Sequence, residues 1–349
     1  MNEEWLTFLT SAGAETDGNH ILHYGNPSRE LSVALTGGVF ADLSHYGLIS
    51  AHGKDAEDFL LAQFTNDLRL VSDSLSQLSG YCNPKGRLLA SMRIFRRSDT
   101  WYLILPENMI QTILKRLRMY VMRADVTLDE ASDSYMHLGA SGDGVGEAIR
   151  DTLGILPDTV NAVSQTGDTT VIRISGPHPR YEIFTGFDQA KQLWDALNVD
   201  SAPIAVNAWS LLDIEAGVPV IIPQTTETFV PQMVNLQLVD GVSFKKGCYP
   251  GQEIVARMQY LGKLKKRMYK ATTPTSAELL AGMDIFQKGG KQPVGKIVNL
   301  APHPDGGYNL LAVLQRKSAE DSQTQLYVDG HNTDYLTLSE LPYPWPAEE

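Results

Sequence analysis

The order of strands, helices and turn signals between residues 46 and 128 limits the folds open to this chain. "YGLISAHG" (46–53) predicts a short strand, and "KDAEDFLLAQFTNDLRLV" (54–71) predicts a helix with an apolar face. Two strands, "QLSGYC" and "RLLASMRIFR", then flank the tight-turn signal "NPKG", and the strand "WYLILP", a helix over 107–122 and the strand "ADVTL" follow. This mixture favours an α+β layer with helices on one face of a largely antiparallel sheet.

A similar order recurs from "YMHLGAS" to "DQAKQLWDALN", which predicts a second α+β half. After Gly262 the chain changes to about six short strands separated by turn residues, a pattern typical of a small β-barrel, and "LPYPWPAEE" reads as a tail. We therefore predict three parts: an N-terminal α+β half over 1–135, a second half over 136–262, and a C-terminal β-barrel with its tail over 263–349.

Composition narrows the class of protein. The net charge of −12 argues against wholesale binding of nucleic acid. The first ten residues carry acids where a signal peptide carries basic residues, and no apolar run is long enough to span a bilayer. Two cysteines cannot form a disulfide scaffold or a four-thiolate iron–sulfur site. We expect a reduced, cytoplasmic protein with no membrane partner.

Positive charge is concentrated in one segment, residues 243–270. It contains eight lysines and arginines against one acid, Glu253. A local basic patch in an acidic protein suits a small anionic partner better than a long duplex. A solvated basic helix and strand is the alternative, and composition alone favours it.

Several familiar chemistries lack their motifs. The chain has no GxxxxGK[ST], HExxH or CxxC pattern, which argues against P-loop, zincin and thioredoxin-type proteins. The glycine-rich stretch 139–150 lacks GxGxxG spacing and reads as a plain loop. The eight histidines are scattered without the spacing of metal ligands, so none is singled out and no metal is predicted.

Cys248 lies in the basic segment. Lys245 and Lys246 precede it, and the residues after it have helical spacing. Neighbouring positive charge and a helix N-terminus favour the thiolate, the form that acts as a nucleophile. A small buried hydrophobe at a strand–helix junction is an equally good interpretation. The other thiol, Cys82, lies inside a strand and is predicted to be structural.

A second candidate site is the predicted helix that carries Trp209 and Glu215 and ends at Gly217. A carboxylate near an aromatic ring suits a pterin or purine, because the acid accepts paired N–H bonds while the rings stack. The alternative is a tryptophan packed in the core and a glutamate paired with an arginine. The residues alone favour that alternative.

The segment "KKGCYPGQE", with Arg257 four positions after it, resembles the K-G-C-[FY]-x-G-Q-E-x-x-x-R signature of the YgfZ/GcvT-like folate-binding proteins. The runs "DIEAGVPVI" and "FVPQMVNLQLVDGVSF", and the N-terminal stretch from "GLISAHG" to "MRIFR", resemble the same family. The resemblance covers about residues 38–270. It implies a ring-like α+β protein of two halves and a barrel that binds tetrahydrofolate or a one-carbon derivative.

The resemblance also implies functions for individual residues. Tyr46, Trp209 and Glu215 become candidate folate contacts, and Cys248 becomes the functional thiol. The remaining signature residues are expected to shape the loop and its basic rim: Lys246, Gly247, Tyr249, Gly251, Gln252, Glu253 and Arg257. Members of the YgfZ type support iron–sulfur enzymes that methylthiolate tRNA, so folate and iron–sulfur client enzymes are the expected partners. The overall acidity and the lack of an RNA-binding motif weigh against direct binding of tRNA.

Two departures from the family pattern bear on activity. Tyr46 stands where YgfZ-type members have a tryptophan, so a stacking face is kept but the contact is changed. Ala90 and Ser91 stand where aminomethyltransferases carry paired acids. A general base or charge stabiliser is therefore missing at that place. We predict an accessory factor, with a folate-dependent aminomethyl or one-carbon transferase as the alternative.

Overall fold

The computed structural model of the chain describes residues 2–18, 20–260 and 264–345. The helices are α1 (Glu3–Ser11), α2 (Pro27–Thr36), α3 (Ala56–Leu61), α4 (Ile110–Val121), α5 (Val145–Leu153), α6 (Phe187–Leu197), α7 (Val206–Glu215), α8 (Gln252–Tyr260) and α9 (Arg316–Ala319). The strands before α5 are β1 (Glu15–Asp17), β2 (His20–His23), β3 (Val39–Asp42), β4 (Tyr46–His52), β5 (Gln77–Cys82), β6 (Leu88–Arg97), β7 (Thr100–Pro106), β8 (Thr127–Glu130) and β9 (Met136–Ser141). The later strands are β10 (Val163–Thr166), β11 (Thr169–Ile174), β12 (Arg180–Thr185), β13 (Ala202–Ile204), β14 (Lys266–Thr273), β15 (Asp284–Gln287), β16 (Gly295–Pro302), β17 (Tyr308–Gln315), β18 (Leu326–Val328) and β19 (Thr337–Ser339).

The described chain divides into two compact units that are discontinuous in sequence. The first unit contains the residues up to Phe59 together with Leu68–Gln77 and Arg93–Leu212, and the second contains Leu60–Asp67, Leu78–Met92 and the residues from Asp213 onward. The predicted three-part division stays a prediction. Its boundary between residues 262 and 263 lies outside the described residues.

The first unit is built on two layers of sheet and helix. In one layer the strand order is β10-β11-β12-β9-β3-β13, antiparallel throughout except for the parallel pair β3–β13. The core of this layer joins residues of α1, α5 and α6 to the sheet: Trp5, Leu9, Phe40, Leu138, Ile149, Leu193 and Trp194. In the other layer β7 pairs with β4 and with the Arg93–Arg97 end of β6, β8 pairs with β4, and α4 packs beside β4 and β8.

In the second unit, β5 and the Leu88–Met92 part of β6 are neighbours joined by the predicted turn. Gly86 has a φ of +69° there, a conformation that glycine adopts without strain, and the Asn83 side chain accepts from the N–H groups of Lys85 and Arg87 at 2.9 and 3.0 Å. The six strands predicted after Gly262 form one curled antiparallel sheet of order β18-β15-β16-β17-β14-β19. The fold class is therefore confirmed, with a half-barrel as its C-terminal sheet.

One local prediction was wrong. The helix predicted over 54–71 ends at Leu61, because Thr65 leaves the helical path and its N–H donates to the carbonyl of Gly80 in β5 at 2.9 Å. The segment predicted as a tail is described as far as Trp345 and is hydrogen-bonded to the rest of the second unit. Tyr343 donates from its hydroxyl to the carbonyl of Gly217 at 2.8 Å. The last four residues, 346–349, lie outside the described part of the chain.

Candidate functional site

Cys248 lies on an exposed loop of the second unit, immediately before α8. We call residues 245–251 the signature loop. The loop passes directly into the helix, because the carbonyl of Gly251 accepts from the N–H groups of Ile254 and Val255 at 3.1 and 3.2 Å. Cys248 is exposed and Cys82 is buried, and both are free thiols. Burial raises the pKa of Cys82 to about 12. Cys248 is therefore not the small buried hydrophobe of the alternative interpretation. Its functional role stays a prediction.

Lys246 supports the signature loop from inside. Its side chain is only 6% exposed. The ammonium group donates to the carbonyl of Phe64 at 2.6 Å and to that of Leu61, and it lies 4.9 Å from the centre of the Tyr249 ring. Leu61 is the last residue of α3, and Phe64 lies in the segment that follows the helix. The two adjacent lysines therefore differ: Lys246 is bound by the protein and Lys245 faces solvent.

Gly251 brings the signature loop against the turn between β5 and β6. It has a φ of +81°, and a Cβ atom at this position would lie 2.4 Å from the Asn83 carbonyl oxygen and 2.6 Å from Gly86 Cα. Only glycine permits this approach without backbone movement. Gly247 differs, since a Cβ atom there would meet no atom within 4 Å.

The other signature residues lie on or beside α8. Glu253 and Arg257 are exposed, and Gln252 is half-buried. Val255 holds the helix in place, because Gln232 donates to its carbonyl at 2.6 Å. Several cations of this unit also face solvent: Lys85, Lys245, Arg257 and Lys265. The basic rim stays a prediction, because a solvated basic surface would expose these side chains as well.

Trp209 is part of the core of the first unit. It is 0% exposed, the Arg180 guanidinium lies 4.4 Å above the ring centre, and the ring occupies the space over Gly139 of β9. The geometry is that of the core-packed alternative, with no free ring face. The predicted contact between Trp209 and folate stays a prediction, and the complete burial of the ring does not favour it.

Glu215, at the end of α7, belongs to the second unit and pairs with Lys270 of β14 at 2.8 Å. About a fifth of each side chain stays exposed, 21% for the glutamate and 17% for the lysine. The predicted pairing partner was an arginine; the partner is a lysine. The carboxylate keeps acceptor capacity for further N–H groups.

Tyr46 begins β4 in the first unit and is half-buried. Its ring centre lies 4.5 Å from that of His45 and 6.4 Å from that of His137. Tyr46 and His137 both line a cavity of about 70 Å³. The histidines were not singled out from the sequence, because positions 45 and 137 are far apart and follow no motif spacing.

The positions that replace the paired acids of aminomethyltransferases are buried. The hydroxyl of Ser91 donates to the carbonyl of Pro219 at 3.1 Å and accepts from the N–H of Ile221 at 3.0 Å. Ala90 is in the core. Ser91 thus serves the local backbone and adds no general base.

Within the described residues, no group of three or more His, Cys, Asp or Glu side chains is placed to hold a metal ion. In the same part of the chain, every helix is too short or too polar to cross a membrane.

The profile of the GCVT N-terminal domain family matches residues 26–246. The chain belongs to the YgfZ/GcvT-like family. The tRNA-modifying protein YgfZ of Serratia proteamaculans (strain 568) is 30% identical over 325 residues, which cover 93% of this chain and 97% of that protein. The tRNA-modifying protein YgfZ of Colwellia psychrerythraea (strain 34H / ATCC BAA-681) is 34% identical over 311 residues, 88% of this chain and 94% of that protein.

A solved structure shares the fold of this YgfZ/GcvT-like chain. The glycine cleavage system aminomethyltransferase T from Bartonella henselae superposes with a TM-score of 0.77, covering 97% of this chain and 96% of that one. The two sequences are 16% identical, so this likeness speaks for the fold alone. The family resemblance predicted from the signature is confirmed.

Proposed function

We propose that this chain is a cytoplasmic folate-binding accessory protein that supports iron–sulfur enzymes in the methylthiolation of tRNA, with Cys248 as its functional thiol. The observation that carries the proposal is the signature loop: an exposed thiol on a loop held from inside by Lys246 and Gly251. Relatives named tRNA-modifying protein YgfZ align with 86% or more of the chain, which supports the link to tRNA modification.

Two of the three candidate contacts, each taken by itself, keep chemistry that suits tetrahydrofolate. Glu215 offers a partly exposed carboxylate, which can accept the N–H pair of an aminopyrimidine edge. Tyr46 is half-buried and retains an aromatic side chain for contact. Trp209, with no exposed surface, acts by holding α7, the helix that also carries Glu215. A bound tetrahydrofolate would supply a carrier for one-carbon groups.

The exposed cations give the anionic part of folate a place to bind. Lys85 lies in the β5–β6 turn, Lys245 begins the signature loop and Arg257 lies on α8, and all three side chains are exposed. Exposed cations in a protein of net charge −12 attract carboxylates locally. These residues would hold the glutamate tail while Cys248 stays accessible.

The transferase alternative is weaker. Ser91 has its hydroxyl engaged by backbone groups on both sides, and Ala90 has no polar atom to offer. We therefore expect no appreciable aminomethyl transfer to tetrahydrofolate. Turnover comparable with that of a genuine T-protein, assayed with the aminomethylated carrier, would replace the accessory function with the transferase.

Calorimetry with tetrahydrofolate and 5-formyltetrahydrofolate tests the folate site. We expect binding by the wild type and about tenfold weaker binding by Glu215→Gln, since a hydrogen bond to a charged group is lost. Glu320→Gln is the matched control, because Glu320 is also paired with a cation, Arg316, at 2.9 Å in the second unit. Absence of binding by folded wild-type protein would contradict the folate part of the proposal.

A further inference from the structure

Residues 337–343, which we call the strap, pack against the place where α7 ends in the second unit. The strap begins with β19, which pairs antiparallel with β14 and places Ser339 opposite Lys270. Its later part reaches Gly217, two residues after Glu215. The strap therefore contacts both the strand that carries Lys270 and the turn that follows Glu215, the two partners of the ion pair.

Gly217 closes the end of α7. Its φ is +65°, a conformation that favours glycine, and its N–H donates to the carbonyl of Ile214 at 3.0 Å. The next N–H, that of Val218, donates to the carbonyl of Asp213 at 3.1 Å. These two bonds form the Schellman arrangement that ends many helices. The position of the last helical residue, Glu215, therefore depends on the peptide unit that joins Gly217 to Val218.

Tyr343 of the strap holds the same peptide unit by its other end. Its hydroxyl donates to the Gly217 carbonyl at 2.8 Å. The hydroxyl also lies 3.5 Å from the side-chain nitrogen of Asn235, which donates to the carbonyl of Met268 on β14 at 2.9 Å. Burial raises the pKa of Tyr343 to about 12, so the hydroxyl keeps its proton and stays a donor at neutral pH.

The strap also leaves no room for a side chain at the helix end. A Cβ atom on Gly217 would lie 2.7 Å from Cε1 of Tyr343 and 3.1 Å from Cδ2 of Leu341. Glycine therefore meets two demands at this position, the positive φ and the close approach of the tyrosine ring. The helix end and the strap are fitted to each other.

We infer that Tyr343 is a positioning residue for the Glu215 carboxylate, a role that rests on the folate-binding function proposed above. The Tyr343 hydroxyl fixes the Gly217 carbonyl, and the closed helix end then fixes the backbone of Glu215. The strap holds the other partner as well, because β19 pairs with β14 at Lys270. A carboxylate that is held in place before a ligand arrives loses less conformational freedom when the ligand binds.

Amide hydrogen exchange of the whole protein, without ligand, tests the contact with the helix end. Tyr343→Phe keeps the ring and removes only the hydroxyl. We expect the Val218 amide to exchange about fivefold faster than in the wild type, because the carbonyl of its peptide unit loses a donor. Tyr269→Phe is the matched control, since that hydroxyl donates to Glu320 at 3.4 Å, and it should leave the Val218 rate unchanged. An unchanged rate in Tyr343→Phe would overturn the inference.

Calorimetry with tetrahydrofolate tests whether the hydroxyl acts through Glu215. Tyr343→Phe should bind about fivefold more weakly than the wild type, and Tyr269→Phe should bind as the wild type does. The double variant of Tyr343→Phe with Glu215→Gln should bind no more weakly than Glu215→Gln alone, because the carboxylate to be positioned is already gone. A hydroxyl that only stabilises the fold would give additive losses or none, and either result would contradict the role.

The ammonium signal of Lys270 separates this inference from the proposed function, because it needs no folate. In protein labelled with ¹⁵N-lysine the signal is assigned through Lys270→Met. Tyr343→Phe should move it towards its position in Glu215→Gln, since the ion pair is loosened. If the signal moves but wild-type protein does not bind tetrahydrofolate, the folate function fails and the positioning of Glu215 stands. If wild-type protein binds tetrahydrofolate and the signal does not move, the positioning fails and the folate function stands.

Discussion

The signature loop and helix α7 both carry residues marked by the family resemblance, yet they present them in opposite ways. The loop exposes its reactive candidate, Cys248, and buries a charged neighbour, Lys246. The helix buries its aromatic candidate, Trp209, and leaves a charged one, Glu215, partly exposed. Residues marked by one family resemblance therefore include side chains that the fold buries and side chains that stay open to a ligand. Burial and hydrogen-bond partners separate the two kinds.

The largest effect is expected at Trp209. Trp209→Ala should lower the free energy of unfolding by about 3–5 kcal/mol, since it opens a cavity and removes the ring beneath the buried Arg180. Urea denaturation measures it. The milder Trp209→Phe should fold and keep tetrahydrofolate binding near the wild-type level. A large loss of binding in folded Trp209→Phe would show that Trp209 contacts the ligand and does more than support the fold.

The paired lysines of the signature loop come next. Lys246→Met should destabilise the protein by about 2–4 kcal/mol, because the carbonyls of Leu61 and Phe64 lose their donor in a buried place. Lys245→Met, with its side chain in solvent, should change the unfolding free energy by less than about 0.5 kcal/mol. Similar changes in unfolding free energy for the two variants would show that the buried hydrogen bonds of Lys246 do not stabilise the loop.

The two free thiols should differ in reactivity. Iodoacetamide at pH 8 is expected to alkylate Cys248 at least about a hundredfold faster than Cys82, a difference of about 2.7 kcal/mol in activation free energy. Burial both covers Cys82 and raises its pKa to about 12, so little of its thiolate is present. Peptide mass spectrometry measures the two rates, and urea-unfolded protein serves as the control in which the rates converge. Equal slow rates in the native protein would contradict the exposure of Cys248.

The smallest effect is expected at the glycines. Gly251→Ala should cost about 2 kcal/mol, because its φ is +81° and the new Cβ would meet the Asn83 carbonyl. Gly247→Ala should stay within about 0.5 kcal/mol, since nothing lies near its Cβ position. Thermal unfolding of the two variants gives the contrast. A tolerated Gly251→Ala would mean that the loop does not depend on close contact with the β5–β6 turn.

The sequence predicted most of the fold because its signals are local. The turn at Asn83–Gly86 and the six late strands follow from turn residues and alternation, and both are present. The helix over 54–71 failed because Thr65 bonds to Gly80, a contact that no local pattern reveals. Burial of Trp209 and the unpartnered nitrogens of His137 likewise depend on residues far apart in the chain. The signature motif was enough to single out Cys248. Only the three-dimensional structure shows that Lys246 is buried while Lys245 is exposed.

The level of tRNA methylthiolation in cells tests whether the signature loop is a structural support that exposes one functional thiol, Cys248. A host lacking its own family member would express the wild type, Cys82→Ala or Cys248→Ser at matched protein levels, with modified nucleosides measured by mass spectrometry. We expect restored methylthiolation with the wild type and with Cys82→Ala. We expect none with Cys248→Ser, whose unfolding free energy should stay within about 0.5 kcal/mol of the wild type because the site is exposed. Full restoration by Cys248→Ser would contradict the claim.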